Sequence, residues 1–221
     1  ARCAEQSGGN LTARVTGLPW YEDEGRRLLH LGLGYSRQFR SDETGTSKSN
    51  PESRLTDDKL VDSGDFNTDG NDLLGLEAAV VHGPFSLQGE FMLQAVNGSG
   101  NPVLWGFYGS GSWFLTGEHR AYDTAKAVFT KVAPHKNFPP WKGGGWGAWE
   151  AGVRYAYVDL NDGDLSGGEE RNLTAGLNWY LTEHYRFMFN YINVKVTDRG
   201  NPPAVKDGAE QTYAARFSYW F

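Results

Sequence analysis

The sequence holds one cysteine, two methionines and no run approaching the roughly 20 apolar residues that a spanning helix requires. A helical transporter or channel is therefore excluded, and with Cys3 alone there is neither a disulfide framework nor a CxxC redox or metal motif. Residues 1–9, ARCAEQSGG, lack the basic start and apolar centre of a signal peptide. Helix signals are also missing. No window of eleven or more residues keeps apolar positions at three-and-four spacing without glycine or proline. Basic residues number 21 against 27 acidic ones, and no cluster of lysine and arginine interleaves with aromatics, so nucleic acid is not an expected partner. The histidines form no HExxH motif, no GxSxG elbow is present, and no glycine loop precedes a phosphate-holding helix. Neither a catalytic site nor a cofactor is expected.

What is abundant points one way. Twenty-nine glycines weaken helices, while 14% aromatic residues favour a pleated surface. Residues 147–160 place Trp149, Ala151, Val153, Tyr155 and Tyr157 on one face and Glu150, Gly152, Arg154 and Ala156 on the other, the period of two that marks a strand. Residues 171–181 and the terminal aromatic segment repeat the design. Further strands are predicted near 10–18, 28–39, 72–82, 85–96, 103–117 and 185–197, nine in all. Within 185–197 the apolar face changes from Phe187, Phe189 and Tyr191 to Val194 and Val196, which predicts a bulge.

A soluble sandwich alternates too, but its exposed faces carry lysine and glutamate, whereas the polar faces here are mostly Gly, Ser, Thr, Asn and Gln. Aromatics near strand ends suit a lipid-facing exterior around a wet lumen, so the expected fold is all-β, a transmembrane antiparallel β-barrel. Two alternatives stay open: a soluble β-sandwich binding module, and a complete small barrel serving as an anchor or enzyme scaffold, in which residues 121–132 supply a tenth strand. Short links at 82–84 and 182–184 alternate with longer polar ones at 41–71, 161–170 and 198–209, as periplasmic turns alternate with outer loops. That parity puts the long, proline-rich 118–146 link on the periplasmic side, where its length predicts a functional segment folded toward the pore mouth.

The segments ARVTGLPWYEDEGRRLLHLGLGYS (13–36), WFLTGEHRAYD (113–123), GGGWGAWEAGVRYAYVDLNDG (143–163), LTAGLNWYLTEHYRFMFNYINVKV (173–196) and ARFSYWF (215–221) resemble the phosphate-selective porins of the O and P family. The resemblance implies a bacterial outer-membrane channel for small hydrophilic or anionic solutes, surrounded by lipid and assembled as a homotrimer. It also implies a sixteen-stranded barrel of which these nine strands are the last, so that residues 1–221 form one barrel domain, the C-terminal part of a longer chain.

On the face assignment, Arg14, Arg154, Arg186 and Arg216 enter the lumen as pore-lining, anion-attracting groups, opposed by the acidic Glu77, Glu90 and Glu150. Ion pairing within the wall, as between Glu150, Arg154 and neighbouring strands, competes with that role. Phe217, Tyr219 and Phe221 are expected to form the terminal assembly signal that the resemblance implies, or an aromatic anchor. Asp65 to Gly70 opens like a calcium loop, but its twelfth position is Leu76 instead of glutamate, and the Asp159, Asn161, Asp162, Asp164 cluster has turn composition. Ordinary turn chemistry and no metal is the expectation for both.

Overall fold

The computed structural model describes residues 8–40, 44–50, 52, 59–98, 100–200 and 207–220. Nine long strands run antiparallel in chain order across one sheet: β1 (Asn10–Glu22), β2 (Arg27–Phe39), β3 (Phe66–His82), β4 (Phe85–Gly98), β5 (Val103–Phe114), β6 (Ala148–Asp162), β7 (Leu165–Tyr180), β8 (Tyr185–Arg199) and β9 (Gly208–Tyr219). Each strand pairs with the one before it, the simplest connection that short turns allow. At 12 to 17 residues they exceed the roughly 9–11 that a tilted membrane strand needs. Residues 122–123 and 128–129 pair only with each other, while β5 pairs directly with β6. No tenth strand enters the sheet there, and the ten-strand alternative is set aside.

One face of the sheet is apolar and exposed. Leu31, Leu33, Leu87, Val153, Leu173, Phe189 and Phe217 are all exposed. A sandwich would cover this face with a second sheet, and among the described residues none lies over it. So broad an apolar surface belongs against lipid or protein. Aromatic rings border it at the turn end, where Trp149, Trp179, Phe187 and Phe217 lie in register on four consecutive strands, the first two stacked 5.0 Å apart. A second row, Phe91, Phe107 and Tyr157, crosses the other end. Eight residues of β6 separate Trp149 from Tyr157, about 27 Å along a strand, or about 21 Å at a tilt of about 40°. That is close to the ~25 Å apolar band of outer-membrane barrels.

The turns follow from glycine. Two-residue connections at Gly83–Pro84 and Gly163–Asp164 place glycine first with φ of 59° and 57°, a conformation that a Cβ disfavours. The second of these corrects the expected long link at 161–170: β6 and β7 continue to Asp162 and from Leu165, and their polar ends are strand. Likewise β3 begins at Phe66, inside the expected 41–71 loop and over most of the calcium-like segment. Among the described residues no group of three or more metal-ligating side chains converges.

The predicted bulge in 185–197 is absent, because β8 keeps its register with β7 and β9 throughout. What changes is the environment of the inner face. Ile192, Val194 and Val196 point inward and are buried with Leu104 and Leu160 beneath Val61, which the link between β2 and β3 brings back against the wall. A second inner cluster, Phe114, Val132, Ala148 and Tyr180, forms at the opposite end beneath the 118–132 segment. Two infolded links thus cover the inner face at its two ends.

Candidate functional site

Strand alternation delivers the polar residues of all nine strands to the inner face, and pairing decides which of them meet. Arg14 on β1 reaches across β2 to Glu77 on β3, with Nε to Oε1 at 2.9 Å, and His30 Nε2 stands 3.2 Å from the same oxygen. Glycine makes this possible: a Cβ at Gly32 would come within 2.1 Å of Glu77 Oε1 and 2.5 Å of its Cγ. Gly32→Val is expected to displace Glu77, free Arg14 and cost about 1–3 kcal/mol by overpacking. Urea unfolding in detergent micelles checks this, and an unshifted midpoint would count against it.

The other acids are tied down as well. Glu90 accepts from the Tyr108 hydroxyl at 2.6 Å, and Glu150 accepts from Tyr180 at 2.8 Å and Asn178 at 2.9 Å. Among the described residues neither Glu150 nor Arg154 forms an ion pair with a neighbouring strand. Instead Arg154 lies 3.6 Å over the Tyr108 ring and donates from Nε to Glu52 at 2.6 Å, a partner 102 residues distant on an infolded link. Arg186 donates to the Tyr180 hydroxyl at 3.3 Å and faces the Trp220 ring, while its buried Nε has no hydrogen-bond partner. Arg216 is exposed on the same face, opposite Met188.

Of the 118–146 link, expected as a whole to fold toward the pore mouth, only the first part, 118–132, folds inward. Tyr122 hydroxyl lies 2.6 Å from His30 Nδ1, Glu118 is buried and accepts from the His135 backbone, and Arg120 bonds to Gln88 while stacking 4.0 Å over Phe129. Burial pushes the Arg120 guanidinium down from its ordinary value, opposed by Glu150, Tyr180 and Tyr108, and a guanidinium remains a cation under such conditions. Burial also lowers His119, as do Arg26 and His135 nearby.

Two inner cavities result. The turn-side one, about 600 Å³, is lined by Arg120, Lys131, Arg154 and Arg186 against Glu150 and Glu183. The other, about 620 Å³, lies toward the long loops and is lined by Arg40, Lys48, Glu52, Gln94 and Glu170 among others. Arg154 borders both. Among the described residues Arg14 and Arg154 are each paired with a carboxylate, whereas Arg120, Lys131, Arg186 and Arg216 form no ion pair. Arg120, Lys131 and Glu52 were not recognisable in the sequence, because they sit on links whose infolding no periodicity records. Phe217 belongs to the outer aromatic row and Tyr219 stacks 4.9 Å from Tyr185 at that end. Phe221 lies outside the described residues.

The model of the family described as phosphate-selective porin O and P matches residues 4–221. A Caulobacter vibrioides protein described only as uncharacterized is 33% identical over 172 residues, covering 76% of this chain and 34% of its own length. Porin O of Pseudomonas aeruginosa is 24% identical over 229 residues, covering 90% of this chain and 50% of its own length. The chain thus spans half or less of the curated relatives it matches.

Proposed function

The chain belongs to the phosphate-selective porin O and P family, and on that premise we propose that it forms the C-terminal part of a bacterial outer-membrane channel admitting small hydrophilic solutes, with anions, phosphate among them, favoured over cations. In this reading β1 and β9 are continued by further strands that close the barrel, the exposed apolar face meets outer-membrane lipid, and three copies assemble. The chain acts as a conduit and not as an enzyme. Aromatic residues at the end of β9 serve as the assembly signal.

The single observation that carries the anion preference is the charge left uncompensated on the inner face: among the described residues Arg120, Lys131, Arg186 and Arg216 have no carboxylate partner, against the carboxylates Glu90 and Glu150, which have no cationic one. Fixed positive charge in a confined aqueous path attracts anions, and low-dielectric walls focus its field. The groups are spread along a wall, and weak successive sites let an ion leave as readily as it enters.

The test is electrical. Reconstituted in planar bilayers under a potassium chloride gradient, the full-length protein is expected to give a reversal potential of the sign that chloride permeation produces. A potential of the opposite sign would overturn the anion reading, and one near zero would leave a general diffusion pore.

A further inference from the structure

The link between β5 and β6 crosses the rim of the sheet. Its first half lies inside, with Val132 buried against Phe114 and Tyr180. Its second half lies outside, on the apolar face. Phe138 donates its backbone N–H to Leu181 at 2.9 Å, and its ring meets Trp179 edge-on at 5.3 Å, extending the outer aromatic row. Trp179 Nε1 donates to the Trp146 carbonyl at 2.7 Å. The glycine run that suggests slack in the sequence is tightly used: Gly145 N–H bonds the Asn137 carbonyl at 2.7 Å, and a Cβ at Gly144 would fall 2.1 Å from that carbonyl. A closed loop results, which holds Trp141 and Trp146 out at 72% and 66% exposure.

These are large amphipathic rings continuous with a membrane-interface girdle, and residues 135–147 carry the exposed Lys136 and Lys142 and no acidic residue. On the adjoining turn the exposed Glu183 lies 3.2 Å from His184 Nε2. Indoles settle at headgroup level, where an anionic lipid surface attracts nearby lysines. We propose that residues 136–146 form an anchor that binds anionic phospholipid headgroups at the turn-side membrane interface. The proposal rests on the membrane reading given above. Trp141 and Trp146 enter the headgroup layer, and Lys136 and Lys142 select negative lipid by roughly fivefold each.

The test uses the full-length protein in phosphatidylcholine vesicles containing either brominated phosphatidylglycerol or brominated phosphatidylcholine at equal content. The fluorescence of Trp141 and Trp146 is taken as the difference between wild type and W141F/W146F. That signal is expected to be quenched several-fold more by the glycerol lipid, and K136Q/K142Q is expected to abolish the preference. Equal quenching by both lipids overturns anionic recognition. Quenching by aqueous iodide but not by bromolipid overturns the anchor, and insensitivity to both means that protein covers the loop and also overturns it. Tryptophans such as Trp113 and Trp149 report insertion separately: if they too escape bromolipid, the membrane reading itself fails.

Discussion

Replacing Arg120 and Arg186 together by glutamine is expected to lower the anion-to-cation permeability ratio roughly fivefold or more, with anion-carried conductance falling as well. A unit charge about 4 Å from a permeating ion contributes about 1 kcal/mol even at the dielectric of bulk water, a factor of about five in local anion concentration, and screening is incomplete within ~8 Å at physiological salt. Both groups line the turn-side cavity, and neither is paired with a carboxylate among the described residues. Glutamine at position 120 can still meet Gln88, so the infolded segment keeps a polar tether there. The matched control is R14Q/E77Q, which removes a bonded cation and anion together. Net charge is then unchanged, and selectivity should stay near wild type. Equal reversal potentials for wild type and R120Q/R186Q would show that these arginines do not face the ion path.

The second large effect is expected from Val61→Asp. Val61 is 1% exposed and packs with Leu104, Leu160, Ile192, Val194 and Val196, the contact that holds the link between β2 and β3 against the inner wall. Full burial of a valine contributes about 1.5–3 kcal/mol, and an unpaired carboxylate buried in its place costs several kcal/mol more. The polar contacts that still tie the link to the wall, Glu52 to Arg154 at 2.6 Å and to Thr174, and Ser47 to Gln94 at 3.2 Å, are partly exposed and contribute about 1 kcal/mol each. They do not offset the loss, so the link should leave the wall and carry Glu52 away from Arg154. Single-channel conductance in symmetric salt is then expected to rise, and anion preference with it, since a lumenal carboxylate departs while Arg154 stays. Val61→Ile, which keeps the apolar contact, should conduct like wild type. An unchanged conductance in V61D would mean that the link does not narrow the path.

The nine strands and their two faces were legible in the sequence because period-two alternation is local: each residue's side follows from its neighbour's, whatever the partner strand is. The same property located Arg14, Arg154, Arg186 and Arg216 with Glu77, Glu90 and Glu150 on one face. It also misled where polarity was equated with loop, since β6 and β7 carry polar residues beyond the apolar band while remaining paired strand. Val194 and Val196 read as a phase change because alternation assumes one environment along each face, and here the inner face is wet at one level and covered by a folded-back link at another. Only the tertiary structure decided the partners. Arg154 meets Glu52 from 102 residues away on a link, Arg120 enters the cavity from another link, and Phe138 leaves that second link for the outer face. These contacts depend on strand register and chain reversal summed over many residues, so charge balance on the inner face is a property of the folded wall and not of any segment read alone.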